Sequence, residues 1–253
     1  MPNDIKKGIT MELTDNASRF ISAYNQIDQG LRAQLGLSKA ISYTEAIRKA
    51  ARTNAVIKKY EDQLVDYGRL RNAIVHSYNE DLIIAEPHSS VVEEYEKLAD
   101  IICSPPLAVD TVCNRNIKTV SNDTLLSDVI ENIYRSGNSN WPVYKDGMLI
   151  GVANSRKIVK EIGKKLYEKQ NIEEYLRNTK IEDAINNFGE DTYYTIANKN
   201  ITLDKILNLF SENRKLSLIV ITETGSLLEQ PIGVVAIADI MDVNKILDNY
   251  NIN

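Results

Sequence analysis

The chain has 253 residues, room for about two domains at roughly 100–200 residues each. Hydrophobic residues make up 43% and charged residues 26%, which supplies real cores and an ordinary water-facing surface. The formal net charge of −5 excludes a protein whose whole surface grips nucleic acid, so any such contact must rest on a local patch.

No apolar run approaches the roughly 20 residues of a membrane span, so no membrane partner is expected. The start Met1-Pro2-Asn3-Asp4-Ile5-Lys6-Lys7 lacks the apolar core of a secretion signal. Cys103 and Cys113 lack metal-type spacing and suit free thiols in a reducing cytoplasm.

Residues 1–104 read as helical. Ala17, Phe20, Ile21, Tyr24 and Ile27 mark a helix that should end near Gly30. Ser42-Tyr43-Thr44-Glu45 is a capping-box pattern, and Ala46, Ile47, Ala50, Ala51, Ala55, Val56 and Tyr60 follow at helical spacing. The next helix carries Leu64, Tyr67, Leu70, Ile74 and Val75. A loop with Pro87 precedes a helix over 91–103, whose buried stripe should be Val92, Tyr95, Leu98, Ala99 and Ile102. Ser104-Pro105-Pro106 ends the domain, since proline cannot continue a helix and restricts the residue before it.

Residues 107–253 contain a repeat. In the first copy, Lys118-Thr119-Val120-Ser121 precedes a helix bearing Leu125, Leu126, Val129, Ile130 and Ile133. The strands Trp141–Tyr144 and Met148–Ala153 follow, joined at Asp146-Gly147, a strong hairpin signal. In the second copy, Tyr194-Thr195-Ile196-Ala197 precedes a helix bearing Leu203, Ile206, Leu207 and Phe210. Strands over 218–221 and 232–236 follow, with a longer turn around Thr224-Gly225. Both copies run strand, helix, strand, strand, helix, and a helical insert of about 157–188 separates them.

Tyr67-Gly68-Arg69-Leu70-Arg71-Asn72-Ala73-Ile74-Val75-His76-Ser77 brings an arginine, an asparagine and one of two histidines together near a helix end. Metal-free RNA cleavage uses the 2′-hydroxyl as nucleophile, so it needs a proton carrier and a fixed cation for the phosphorane. Histidine titrates near working pH, and arginine offers a permanently charged fork. Asn72 and His76 share a helix face. Arg71 and His76 stand about 140° apart on an ideal helix, so two subunits would have to cooperate at one phosphate. The plainer reading is a C-terminal histidine favourable to the helix dipole, with Arg71 paired to Asp66, Glu80 or Asp81. Arg69 is the reserve candidate for the cation. Tyr67 and Tyr78 flank the motif, and packing suits Tyr67 better than base stacking.

Arg71-Asn72-Ala73-Ile74-Val75-His76 in an all-helical setting resembles the HEPN superfamily. That resemblance implies a catalytic set of Arg71, Asn72 and His76, dimers with the two motifs at the interface, and a metal-independent endoribonuclease with no cofactor for catalysis. RNA and a second copy of the chain are then the partners. The family also contains inactive scaffolds.

The second half resembles a tandem pair of cystathionine-β-synthase (CBS) domains. The resemblance rests on the repeat and on the strand ends Ile150-Gly151-Val152-Ala153-Asn154-Ser155-Arg156-Lys157 and Ile232-Gly233-Val234-Val235-Ala236-Ile237-Ala238-Asp239. It implies a cleft for an adenine nucleotide (AMP, ADP, ATP or a related adenosyl ligand) as regulatory ligand, an aspartate on the ribose and a hydroxyl residue near phosphate. The implied ligand set is Asp239, Ala236, Thr195, Ile196, Arg156 and Lys157. The match is partial: Ala236 and Asn154 stand at the hydroxyl positions, and Lys157 replaces one aspartate. A carboxylate can accept from both ribose hydroxyls, while Arg156, Lys157 and Lys160 offer charge to phosphates. The plain alternatives are dipole complementation for Asp239 and a solvated face for Arg156 and Lys157.

The expected fold is therefore α+β overall, an N-terminal all-α helical bundle followed by a two-copy α/β CBS pair, or Bateman module. The expected function is nucleotide sensing that regulates a HEPN-type endoribonuclease. The competing reading is a non-catalytic sensor whose helical domain only dimerises or recruits a partner.

Overall fold

The computed structural model describes residues 15–75, 85–189 and 192–249. Two compact units divide the chain, one running up to Pro105 and also taking the residues from Asn249 onward, and the other spanning Pro106–Asp248. No helix among the described residues is long and apolar enough to cross a membrane.

The first unit is built from α1 (Asp15–Leu35), α2 (Tyr43–Ala50), α3 (Ala55–Lys59), α4 (Glu61–Val75) and α5 (Ser89–Cys103). α1 does not stop at Gly30, as the sequence suggested. The buried stripe Ala17, Phe20, Ala23, Ile27 and Leu31 carries it one turn further. Gly36, at φ +61°, is where the chain turns left-handed. Gly30 has a different use: a Cβ there would stand 2.9 Å from Cys103 Sγ, so its small size lets α5 approach.

The single helix expected over 46–60 is two. After α2 the chain turns, and the Asn54 carboxamide accepts from the amides of Val56 and Ile57 at 2.9 and 3.0 Å, starting α3 afresh. α2 begins with the forward half of the expected capping box, the Ser42 hydroxyl accepting from the Glu45 amide at 3.2 Å, while the Glu45 carboxylate pairs with Lys49 at 3.3 Å. α5 starts at Ser89, two residues earlier than expected. His88, which the sequence left as a loop residue, is its N-cap.

Val92, Tyr95, Leu98, Ala99 and Ile102 are all buried, as the periodicity required. Phe20, Tyr67 and Tyr95 form an aromatic triangle with centroid separations of 4.6–5.7 Å. Such pairs add about 0.5–1.5 kcal/mol each beyond the area they bury. The Tyr43 and Tyr95 hydroxyls hydrogen-bond at 2.9 Å, so the polar tips inside this core satisfy each other.

The second unit holds the repeat. β1 (Val120–Ser121), α6 (Leu126–Ser136), β2 (Asn140–Lys145), β3 (Met148–Asn154) and α7 (Ser155–Tyr167) make the first copy. After α8 (Ile172–Asn178) and α9 (Ile181–Asn186), the second copy has β4 (Tyr194–Asn198), α10 (Leu203–Glu212), β5 (Leu218–Thr222), β6 (Gly233–Ala236) and α11 (Ile240–Asn249). Each copy is a three-stranded sheet in which the middle strand pairs parallel with the first and antiparallel with the last. Asp146 (φ 50°) and Gly147 (φ 81°) form the tight β2–β3 turn with both central residues left-handed, the twist a two-residue hairpin demands.

The middle strands are buried on both faces, which is why 218–221 reads as an unbroken apolar run rather than an alternating one. The span expected as a helical insert is α7, α8 and α9, and it does more than separate the copies. The Leu126 amide donates to Thr179 O at 2.9 Å and the Ile181 amide to Thr124 O at 2.8 Å. In the other half, the Leu203 amide donates to Pro106 O and the Ala108 amide to Ile201 O, both at 2.9 Å. The segment leading into each copy therefore completes the first helix of the other. Leu126, Val129, Val143, Val152, Ile181, Leu218 and Val220 belong to one continuous apolar core drawn from both copies.

Candidate functional site

The two strand ends singled out in the sequence are structurally equivalent. The Ser155 amide donates to Ser139 O at 2.9 Å, and the Ile237 amide donates to Ser217 O at 3.1 Å. This aligns Asn154–Lys157 with Ala236–Asp239.

Each copy keeps one half of a capping box there. In the first, Asn154 is the N-cap of α7, and its Oδ1 accepts from the Lys157 amide at 3.1 Å. The return carboxylate is missing because position 157 is lysine. In the second, Asp239 Oδ2 accepts from the Ala236 amide at 2.7 Å, and the forward half is missing because an alanine side chain has no acceptor. The residue pattern on which the resemblance rests is thus also helix-starting chemistry. Asp239 spends a lone pair on Ala236 and retains acceptor capacity for a ligand.

Two cavities flank these ends. One, of about 280 Å³, is lined by Asn114, Asn116, Ile117 and Lys118 ahead of β1, by Gly137–Asn140 leading into β2, and by Ala236–Asp239. The other, of about 410 Å³, is lined by Ser139, Asn140, Asn154–Lys157, Tyr193 and Arg214–Ser217, with Ile237 at its edge. At the wall of the larger cavity, Asn154 Nδ2 donates to Asn140 Oδ1 at 2.7 Å, and the Ser217 hydroxyl donates to Tyr193 O at 2.9 Å. The Tyr193 hydroxyl donates to Val152 O at 2.6 Å, and burial raises its pKa, so it stays a protonated donor.

Of the ligand set drawn from the sequence, Ala236 and Asp239 lie together in the smaller cavity, and Arg156 and Lys157 together in the larger. Thr195 and Ile196 lie in β4 and line neither. Tyr193, just ahead of that strand, contributes instead. Lys118, Asn140, Tyr193, Arg214, Lys215 and Ser217 also line these cavities and lie outside the set drawn from the sequence. Aligning the copies through Ser139 and Ser217 would have drawn attention to the residues ahead of β2 and β5.

Residues 109–164 match the family model for the CBS domain. The first copy is a CBS domain. With the second copy repeating its topology, the unit has a CBS pair fold. Similar solved structures include a protein from Methanocaldococcus jannaschii, 19% identical, covering 65% of this chain and 56% of that one at a TM-score of 0.46. The CBS domain of the bacterial CNNM/CorC family Mg²⁺ transporter in complex with ATP is 15% identical, covering 60% and 96% at 0.43. CBSX2 in complex with AMP is 16% identical, covering 56% and 98% at 0.42. No curated protein matches the chain.

In the helical unit, His76 lies outside the described residues, as do Tyr78, Glu80 and Asp81. Arg71 lies near the end of α4 with its guanidinium 5.0 Å from the centroid of the Tyr24 ring, and it donates to Asn72 Oδ1 at 3.4 Å. Among the described residues, its buried Nε has no hydrogen-bond partner. Asp66 pairs with Arg69 at 2.7 Å. Tyr67 is packed inside the aromatic triangle, and its hydroxyl donates to Glu94 at 3.0 Å.

Proposed function

We propose that the chain is an adenine-nucleotide sensor. Its CBS pair takes the adenosine part of the ligand in the Asp239 cavity, and occupancy biases the helical unit. The observation that carries this reading is the half-satisfied cap at Asp239, a carboxylate held at 2.7 Å by one backbone amide on the wall of a cavity. A ribose diol offers the donors that such a carboxylate still has room to accept. Coupling to the helical unit requires that the ligand bind two states of the protein unequally.

For the output we propose metal-independent RNA cleavage by a homodimer. His76 moves protons, Arg71 stabilises the phosphorane charge and Asn72 helps hold the phosphate. A second reading has a specific observation behind it. Arg71 is half-buried against Tyr24, as a packing cation would be. In that reading the helical unit dimerises or recruits a partner without catalysis.

Two experiments test the scheme. AMP should raise the melting temperature of the wild-type chain. Asp239→Asn retains an acceptor for the Ala236 amide but removes the charge, and should weaken AMP binding by about tenfold or more, the loss of roughly one charged hydrogen bond. An AMP shift of the same size in Asp239→Asn removes Asp239 from the site. RNA incubated with the protein in EDTA should yield 2′,3′-cyclic phosphate ends, lost in His76→Ala and altered in rate by AMP. Intact RNA with and without AMP, from a dimeric protein, selects the non-catalytic reading.

A further inference from the structure

The larger cavity carries a charge pattern that adenosine recognition leaves unused. Arg156 and Lys157 reach it from the start of α7, and Arg214 and Lys215 from the segment between α10 and β5. Among the described residues, no carboxylate lines it. In a chain of net charge −5 this is a local reversal of sign. Lys160 and Lys164 line an adjoining cavity with Lys157 and the buried Glu161.

The wall is ordered by its own contacts. Lys157 Nζ donates to Phe188 O at 3.0 Å and lies 5.0 Å from the Tyr193 ring centroid. Asn154, 7% exposed, has its carbonyl oxygen on the Lys157 amide and its NH₂ on Asn140.

A ribose diol needs an acceptor, and the position equivalent to Asp239 is here Lys157, which only donates. The matching ligand group is one that only accepts and carries several negative charges at close spacing. We propose that this cavity binds a linear di- or triphosphate chain through its phosphates alone, with the Arg156 and Arg214 forks on non-bridging oxygens and the lysines as point charges. This deepens the nucleotide reading of the CBS pair and rests on it only in assigning the pair a ligand-binding role. The chain could belong to a nucleotide or to free polyphosphate, and the experiment separates the two.

The full-length protein is titrated calorimetrically with inorganic triphosphate, with ATP and with adenosine, at constant ionic strength. Inorganic triphosphate should bind one-to-one in the wild type and in Asp239→Asn. In the double variant Arg156→Ala/Arg214→Ala it should bind at least about tenfold more weakly. Both arginines are exposed, so the unliganded double variant should melt with the wild type. Tighter binding of ATP than of triphosphate, lost in the same double variant, assigns the chain to a nucleotide, and the reverse order assigns it to free polyphosphate. The proposal is overturned if inorganic triphosphate does not bind, if sulfate at equal ionic strength reproduces the heat, or if the double variant binds triphosphate as the wild type does. Adenosine binding that is lost in Asp239→Asn and kept in the double variant reports separately on the other cavity. Either site can therefore fail without the other.

Discussion

Gly68→Ala places one methyl group at a position where the structure leaves no room for it. Gly68 sits inside α4, where alanine would ordinarily gain about 1 kcal/mol of helix propensity. The added Cβ would stand 2.8 Å from Cδ1 and 3.1 Å from Cε1 of Tyr43. That ring cannot retreat cheaply. It lies 4.4 Å from the Tyr24 ring, and its hydroxyl is tied to Tyr95 at 2.9 Å. Overpacking of this kind costs about 1–3 kcal/mol. With the backing so firm, the upper part of that range applies and outweighs the propensity gain. The net expectation is a loss of about 1–2 kcal/mol, a drop in melting temperature of about 5–15 °C for a unit of this size. The assay is thermal unfolding followed by near-ultraviolet circular dichroism, which reports the tyrosine cluster directly. Gly163→Ala is the control, since Gly163 is also helical but a Cβ there meets nothing within 4 Å, so it should stabilise by about 0.5–1 kcal/mol. A Gly68→Ala protein as stable as the wild type, or more so, would refute the packing argument.

Asn54→Ala removes the acceptor shared by two amides at the start of α3, and should cost about 1–2 kcal/mol in chemical denaturation. No change in midpoint would mean that this cap is dispensable. The Cys103 thiol, pushed up to about 11 by burial and by Asp100, should be alkylated about a hundredfold more slowly at pH 8 than an ordinary thiol when measured in a Cys113→Ser background. A rate within a few-fold of a model thiol would contradict its burial. Burial raises the pKa of Tyr67, Tyr144 and Tyr175 to about 12 each, so between about pH 10 and 12 the folded chain holds protons that the unfolded chain has released. Stability should therefore fall as pH rises through that window, and a melting temperature flat from pH 9 to 12 would count against it.

The parts of the fold that could be read from the sequence are those governed by local periodicity. The α5 stripe, the Asp146-Gly147 hairpin and the two strand-helix-strand-strand-helix copies each follow from spacing within a dozen residues. What could not be read depends on contacts far along the chain. Gly30 looked like a helix end because the approach of Cys103, which gives that glycine its use, is seventy-three residues away in sequence (103 − 30). The break at Asn54 was hidden because apolar spacing happens to continue across it.

The residues that line the two cavities divide in the same way. Asp239, Ala236, Arg156 and Lys157 could be singled out because they sit at a repeated strand end. Arg214, Lys215 and Tyr193 were not, because only the folding of one copy against the other brings them to the same cavity. Thr195 and Ile196 stand in β4, and that strand lies just past the residues that line the wall.

The exchange of entry segments between the two CBS copies has a consequence for how such a unit can be dissected. Cutting the chain in the Lys169–Asn171 region would leave the front half without the Thr179 carbonyl that α6 relies on, and the rear half without Pro106. Neither piece keeps all of its helix-starting hydrogen bonds. Each carries the other's missing clasp, so the halves should regain structure only when mixed, and the duplication persists as an inseparable couple.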